Sequence, residues 1–398
     1  MKKIFVTMHS LEIGGAERSL IGLLDSLDYS KYEVDLLLYL HQGDFFYLIP
    51  NEVNLLPFDD RFSFLMKPIK EAFLSRKMGT VCARLLGKAV SSYYTRLKNF
   101  RDGCYISKQY GHKYAQRFLP KINKKYDLAI SFLDPHYYVA NNVDAKIKMA
   151  WLHTDFSIID VNKKSDLAMW NYFNYIVTVS DSCREPFVKL HPEIAQKTIT
   201  IENILSPLFV AQQADVDVSK EMPDEDGVIK LCTVGRFSHA KGLDNAVLIC
   251  KKLVDMGCNV KWYVIGYGGD EPIMRAKIKE TGMEDRFIIL GKKTNPYPYM
   301  KACDIYVQPS RHEGKAVTVR EAQMLGKPVV VTKFATASSQ LQDGYDGVIV
   351  PMDIDECAKG IKIVIEDKSL QQRLIGNTKC SNYGNEKEVD KIYNLIEV

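Results

Sequence analysis

The stretch Glu313-Gly-Lys-Ala-Val-Thr-Val-Arg-Glu321, continued by Ala322-Gln-Met-Leu-Gly-Lys-Pro328 and the apolar run Val329-Val-Val331, decides how this chain is read. Before it stands a strand-like segment, Asp304-Ile-Tyr-Val-Gln308, broken by Pro309-Ser310. After it, Gly326 and Pro328 stop the helix that the pattern predicts, because glycine accepts the left-handed cap conformation and proline cannot extend the hydrogen-bond ladder. Two buried strands thus flank a helix with a carboxylate on either side of its start, Glu313 in the loop and Glu321 on the second turn. The first amides of a helix lack intrahelical acceptors and carry partial positive charge, so those around Lys315, Ala316, Val317 and Thr318 offer a cradle for a phosphate. Glutamates near a helix start also have a purely structural use, since they complement the dipole and favour helix.

Working outward, apolar runs alternate with helical patterns, which predicts parallel sheets covered by helices, an α/β fold. Strands are expected at Lys3–Met8, Val34–Leu40, Val53–Pro57, Leu128–Leu133, Ile147–Leu152, Ile176–Val179 and Ile199–Glu202. A second series follows at Val228–Val234, Val260–Ile265, Phe287–Leu290, Ile305–Val307, Val329–Val331 and Val348–Val350. Between the series, residues 206–227 are polar, acidic and weakly periodic, with Pro207 and Pro223, and read as a linker. The expected organisation is a Rossmann-like domain over 1–205, the linker 206–227, a second Rossmann-like domain over 228–384, and a helix within 385–398. Two such domains facing across a cleft would hold a ligand at the carboxyl ends of their strands.

A length of 398 residues is too great for one ordinary core, and 46% hydrophobic with 26% charged residues is the balance of a soluble globular protein. The nine cysteines form no CxxC pair and several lie in apolar runs, so they read as buried thiols of a reducing cytoplasm, with no disulfide framework and no zinc site. Neither a signal peptide nor a membrane-spanning run is expected. The net charge of +4 conceals a helical insertion near 61–125 that carries sixteen Lys or Arg against Glu71 and Asp102, a local balance of +14. Interleaved with Phe62, Phe64, Leu65, Phe73, Leu74, Leu85, Leu86, Tyr93, Tyr94 and Phe100, this charge suits an anionic membrane surface. It equally suits a solvated insertion whose apolar residues turn inward. No base-reading motif accompanies it, so nucleic acid is not an expected partner.

Three further segments carry chemistry. Val234-Gly-Arg-Phe-Ser-His-Ala-Lys-Gly242 is a strand, a turn and a helix start; Gly235 permits close backbone approach, and Arg236 with Lys241 supplies two cations suited to a diphosphate. Met8-His-Ser-Leu-Glu-Ile-Gly-Gly-Ala-Glu-Arg18 joins the first strand to the first helix, and Gly14-Gly15 could admit an anion or sugar to the helix N-terminus or simply make the turn. Its spacing is not the GxGxxG of a dinucleotide site, which argues against a dehydrogenase. Trp151-Leu-His-Thr-Asp155 places His153 and Asp155 at the end of a strand. No Asp-x-Asp pair or His/Asp cluster of metal-ligand spacing accompanies these segments.

Taken together, the string from Ser310 to Val331, the Gly235-Arg236…Lys241-Gly242 segment, Gly14-Gly15-Ala16-Glu17 and His153-Thr154 resemble the motifs of retaining family 4 glycosyltransferases, which have the GT-B fold. The resemblance covers nearly the whole chain and is strongest across Val228–Pro351. It implies a metal-independent enzyme without a cofactor that moves a hexose from a nucleotide-diphosphate sugar, most plausibly UDP-linked, to an acceptor hydroxyl. Carried over to this sequence, Arg236 and Lys241 would meet the diphosphate and Glu313 the donor sugar. Glu321 would meet the ribose, and His153 the transferred sugar. Gly15, Gly235, Gly314, Lys315, Ala316 and Val317 would line the donor, with Gly14 and Asp155 towards the acceptor. Many members have Phe-Pro where this chain has Lys315-Ala316, which leaves the sugar open. The implied acceptor is lipid-linked or a saccharide, in capsule, exopolysaccharide or lipopolysaccharide assembly, with the enzyme cytoplasmic and peripheral on the inner face of the plasma membrane if the basic segment binds lipid. The final helix of GT-B proteins commonly returns to the first domain. A non-catalytic GT-B subunit partnering another transferase and a sugar-nucleotide epimerase are the competing expectations; oligomeric state is not legible.

Overall fold

The computed structural model describes residues 1–12, 14–98, 104–154, 156, 159–313 and 316–397. Asp155, Gly314, Lys315 and Phe100, singled out above, lie outside the described residues. The chain divides into two compact units, one formed by Met1–Ile204 with Asn385–Val398 and the other by Leu205–Gly384.

In the first unit, β1 (Lys2–Met8), β2 (Tyr32–Leu38), β3 (Asn54–Leu55), β4 (Lys125–Ser131), β5 (Asp144–Leu152), β6 (Tyr175–Thr178) and β7 (Thr198–Thr200) form a parallel sheet in the order β3-β2-β1-β4-β5-β6-β7. Its helices are α1 (Gly15–Asp25), α2 (Asp60–Met66), α3 (Ile69–Leu74), α4 (Met78–Lys98), α5 (Cys104–Ala115), α6 (Tyr137–Asn142), α7 (Lys163–Trp170) and α8 (Asp181–Leu190). The basic insertion is therefore helical, α2 to α5, between β3 and β4.

The second unit starts with α9 (Pro207–Gln213). Its sheet runs β10-β9-β8-β11-β12-β13, built from β8 (Ile229–Val234), β9 (Val260–Ile265), β10 (Phe287–Gly291), β11 (Ile305–Gln308), β12 (Val329–Thr332) and β13 (Val348–Val350). Around it lie α10 (Leu243–Asp255), α11 (Glu271–Thr281), α12 (Tyr297–Ala302), α13 (Val317–Met324), α14 (Ala337–Gln340), α15 (Ile354–Glu366) and α16 (Lys368–Cys380). Successive side chains of a strand point to opposite faces, and the core divides accordingly. Leu231, Trp262, Val264, Ile305 and Val307 pack with Val247 and Ile361. Cys232, Tyr263, Ile265, Tyr306, Val329 and Val331 pack with Met300 and Val319 on the other side.

Residues 206–227 are not simply a linker. Ser206 caps α9, and Val210, Ala214 and Met222 are buried in the same core as Met300 and Tyr306. The cysteine expectation is also corrected in part: Cys232, Cys250, Cys258, Cys303 and Cys357 are buried, whereas Cys82, Cys104 and Cys380 are exposed. The last helix, α17 (Glu388–Glu397), belongs to the first unit. There the Tyr393 ring stacks on Tyr32 at 4.7 Å, its hydroxyl accepts the Asp28 N–H at 2.8 Å, and Lys2 Nζ donates to the Ile396 carbonyl at 3.0 Å.

Candidate active site

In the second sheet the strand order reverses between β8 and β11. Loops leaving the carboxyl ends of adjacent strands diverge at such a point and open a crevice. The β8 loop carries Gly235 to Gly242, and the β11 loop carries Pro309 onward to α13. Backbone bonds join the two, because the Arg311 and His312 N–H groups both donate to the Ala240 carbonyl, at 2.8 and 3.1 Å. Gly242 makes the approach possible, with φ of 65° and a position where a Cβ would fall 2.1 Å from the Pro309 carbonyl oxygen. The Arg311 guanidinium then grips both Asp244 oxygens, at 2.7 and 2.9 Å, and Asn245 Oδ1 at 2.8 Å. Burial pushes the Asp244 carboxyl up, but Arg311 and Lys277 outweigh it and hold the group down at about 2.

This seam sets Lys241 against Glu313. Glu313 Oε1 accepts from Lys241 Nζ at 2.6 Å, from Ser310 Oγ at 2.6 Å and from Gln308 Nε2 at 3.1 Å. Thr336 Oγ1 holds the Glu313 carbonyl at 2.8 Å. Beneath them, Gln308 Oε1 accepts from Tyr306 at 2.8 Å and Thr318 at 3.2 Å, so the network is anchored in the sheet. The Glu313 side chain is only 6% exposed and that of Lys241 24%. In such a place each charge depends on the other, since removing one partner strands a desolvated ion. Arg236 is exposed and makes no ion pair among the described residues. Gly235 lies beside the Lys241 side-chain stem.

At α13 the geometry departs from the open amide cradle expected from sequence. Ala316 occupies the N-cap position, is 3% exposed, and its N–H already donates to Gln340 Oε1 at 2.9 Å. Val317, the first helical residue, is half-buried. Glu321 is fully buried on the second turn, and its Oε1 accepts from the Tyr297 hydroxyl at 2.8 Å. It faces the protein interior rather than a surface where a ribose could rest as the chain stands.

In the first unit Gly14 precedes α1, and the Glu17 carboxylate lies over it: a Cβ at Gly14 would fall 2.0 Å from Glu17 Oε2. The helix start that reads as an anion site thus has its own acid across it, while Gly15 has open space above. Burial raises the Glu17 pKa although its own backbone N–H donates to it.

His153, just after β5, belongs to a group of histidines gathered at the carboxyl ends of β1, β4 and β5, of which His136 is buried and His9 and His153 are half-buried. His9 follows β1, with its ring 5.9 Å from that of His112 on α5. His136, beyond β4, meets Ser131 Oγ through Nδ1 at 2.8 Å, and the His153 ring lies 5.0 Å from Phe132. The Nε2 atoms of His9, His136 and His153 are buried without a hydrogen-bond partner among the described residues. Burial lowers His9 to about 4, His153 to about 4 and His136 to about 3; on His9 the Lys108 charge adds to this, and on His136 the other two histidines do. No group of three His, Cys, Asp or Glu is placed to hold a metal ion among the described residues.

Sequence reasoning missed the residues that orient Glu313, namely Gln308, Thr336 and the Arg311–Asp244 clamp. It also passed over Gly266-Tyr-Gly-Gly269, where Gly266 (φ 147°) lies against the Gly235 carbonyl, at a position where a Cβ would fall 1.9 Å from its oxygen. The signal was a glycine cluster directly after a strand.

Residues 217–380 match the family model described as Glycosyl transferases group 1. Most of the second unit is thus similar to group 1 glycosyltransferases. The chain is similar to N-acetylgalactosamine-N,N'-diacetylbacillosaminyl-diphospho-undecaprenol 4-alpha-N-acetylgalactosaminyltransferase of Campylobacter jejuni, at 26% identity over 94% of this chain and 92% of that protein. It is also similar, at 24% identity over 96% and 95% of the two chains, to the GalNAc-alpha-(1->4)-GalNAc-alpha-(1->3)-diNAcBac-PP-undecaprenol alpha-1,4-N-acetyl-D-galactosaminyltransferase of the same organism. Among solved structures, Anabaena HepE in complex with UDP and glucose superposes with a TM-score of 0.62 at 18% identity, covering all of both chains. The group 1 match and this likeness establish the GT-B fold class for the two parallel-sheet units.

Proposed function

We propose that this protein is a retaining family 4 glycosyltransferase that moves a hexose from a UDP-sugar to a hydroxyl of a lipid-linked or saccharide acceptor in bacterial cell-surface glycan synthesis. The observation that carries the reading is the Lys241–Glu313 pair, held at 2.6 Å across the β8 and β11 loops of the segment that matches group 1 glycosyltransferases. A UDP donor is supported by the UDP in the HepE complex, and a lipid-linked acceptor by the undecaprenol-diphosphate saccharides in the names of the Campylobacter relatives.

In this reading the acceptor oxygen attacks the anomeric carbon from the face on which the diphosphate departs. The carbon–oxygen bond to phosphate breaks, the new glycosidic bond forms, and a phosphate oxygen takes the acceptor proton. Arg236 and Lys241 meet the charge that develops on the diphosphate, without a metal ion or cofactor, while Glu313 accepts from sugar hydroxyls near the reacting carbon. Such fixed charges act most strongly where water is excluded. Gly235, Gly314, Lys315, Ala316 and Val317 border the donor. Glu321 takes the ribose hydroxyls once Tyr297 and its cover move aside.

A thermal-shift panel of UDP-, GDP- and ADP-sugars tests the donor. A UDP-sugar at about a hundred times its Kd should add about 2.7 kcal/mol to stability, a rise of about 5 °C or more in Tm for a domain of this size. Silence across the whole panel removes the reading.

The proposed site of action is the inner membrane face. No helix among the described residues is long and apolar enough to cross a membrane. Of the apolar residues in the insertion, Phe62, Phe64 and Leu65 are buried, but Phe73, Leu74, Leu85, Leu86 and Tyr93 remain 49–69% exposed. An apolar helix face bordered by exposed Arg76, Lys88 and Arg96 fits an anionic bilayer surface. Flotation with phosphatidylglycerol-containing vesicles should exceed that with phosphatidylcholine alone at least tenfold, and Leu85→Ser with Leu86→Ser should abolish the difference. Equal flotation on both lipids would dismiss the membrane role.

A further inference from the structure

Helices α4 and α5 cross at two glycines. A Cβ at Gly87 would lie 2.6 Å from the Gly111 nitrogen and 3.1 Å from the Ser107 carbonyl oxygen, so the backbones touch where a side chain at Gly87 would part them. Their contact brings Arg84 and Lys88 of α4 together with Ser107, Lys108 and His112 of α5 around a cavity of about 90 Å³, closed at one side by Leu65 and Ile69. That volume is several times the ~10–15 Å³ that admits one water, room for a tetrahedral anion.

The charge around this cavity is one-sided. Elsewhere in the insertion, cations find acids: Lys77 meets Asp60 at 2.9 Å, and Lys124 meets Asp35 at 2.8 Å. Arg84, Lys88 and Lys108 form no ion pair with a carboxylate among the described residues. Arg84 is half-buried and fixed, with Nη1 donating to the Phe64 carbonyl at 2.8 Å and the Lys67 carbonyl at 2.5 Å. Its orientation is set before any ligand arrives, and no side-chain entropy is lost by ordering it. Three like charges around one recess repel one another, and a polyanion within it turns that repulsion into attraction. The donor set is also specific in type: a planar guanidinium, two ammonium groups, a hydroxyl and an imidazole suit tetrahedral oxyanions.

We propose that this cavity binds a phosphate or diphosphate group. Its source is a free anion, a lipid headgroup or the diphosphate of a lipid-linked acceptor; the last rests on the glycosyltransferase reading, whereas the anion site does not. The exposed Leu85 and Leu86 adjoin Arg84 and Lys88 on α4, so a group held here could carry an apolar chain away along the same helix.

The test is calorimetric titration of the full chain with inorganic pyrophosphate at low salt. Since the second unit is itself proposed to bind a diphosphate, two double variants are compared, Lys88→Gln with Lys108→Gln, and Arg236→Gln with Lys241→Gln. Lys88 and Lys108 are exposed, so their replacement leaves the core untouched. The expected result is a class of pyrophosphate sites weakened at least tenfold by the first pair and retained in the second. The UDP-sugar thermal shift, read on the first pair, remains at its wild-type value and keeps the two readings separable. Displacement of pyrophosphate by phosphatidylcholine vesicles bearing a prenyl diphosphate identifies a lipid-linked source. Equal displacement by phosphatidylglycerol identifies a headgroup, and displacement by neither identifies a soluble anion; all three support the site. Absence of pyrophosphate binding in the wild type, or binding undiminished in the Lys88 and Lys108 variant, overturns it.

Discussion

Glu313→Gln should lower the turnover number for sugar transfer by about 10²–10³-fold, the usual cost of removing one charge-stabilising group from a preorganised site. The substitution keeps an acceptor oxygen for Ser310 Oγ and Gln308 Nε2, which now lie 2.6 and 3.1 Å from Oε1, and keeps the volume of the side chain. What it removes is the negative charge. Lys241, 2.6 Å away, loses the partner that orients it, and the donor sugar loses a carboxylate acceptor. Turnover measured at saturating donor should fall with Tm changed by only a few degrees. Wild-type turnover in this variant would remove Glu313 from the reaction. The clamp of Arg311 on Asp244 gives the reason to expect an intact scaffold, since it joins the same two loops without using the Glu313 charge.

The second large effect is a loss of the first unit in mild acid. Histidine in an unfolded chain titrates near 6.5, but burial holds His9 and His153 at about 4 and His136 at about 3. His112 is lowered further by burial first, then by His9, Arg84 and Lys108. Between these values the unfolded chain binds protons that the folded unit refuses. The stability conferred by neutral histidines is therefore complete above about pH 6.5 and lost as the pH falls towards 4 and 3. Each such histidine contributes up to about 1.4 kcal/mol per pH unit, offset in part by Asp25, Asp134 and Glu17 of the same unit, whose pKa values burial raises, Asp25 to about 6, so that they favour the folded state as the pH falls. Against a total of about 5–15 kcal/mol for a domain, the first unit should lose stability between about pH 6 and 4.5 and unfold before the second. The second unit has exposed His239 and His312, and its Asp244, held at about 2, weakens it only below about pH 4. Fluorescence of Trp151 and Trp170 should therefore change at a higher pH than that of Trp262 on the acid limb of a titration. A first unit as stable at pH 4.5 as at pH 7 would contradict the argument.

Much of the fold was legible because strand identity is a local property. Runs such as Val329–Val331 and Val260–Ile265 are buried on both faces, and nothing but a covered parallel strand accommodates them in water. The Lys241 and Glu313 loops were legible for a related reason, since glycines and polar residues directly after buried strands leave few places for the chain to go. Contacts made at a distance were not. Ala316 loses its free amide to Gln340, and Glu321 meets Tyr297, each 24 residues away. Helix-dipole reasoning sees only the nearest turn and has no term for a partner that packing brings in. The linker reading failed in the same way: Val210 and Met222 look isolated in a polar stretch until the sheet supplies their neighbours. His153 was noticed but its companions were not, because His9, His112 and His136 are far from it in sequence: two follow strands adjacent to one another and His112 lies on α5.

The last helix has a temporal consequence. Lys2 and Ile396 are bonded although 394 positions separate them, and the entire second unit lies between the two segments that make up the first. A chain emerging from the ribosome in order can complete the second unit while the first sheet still lacks its closing helix and the Tyr32–Tyr393 stack. Of the two units, the first thus begins earlier and finishes folding later, and α17 acts as its latch.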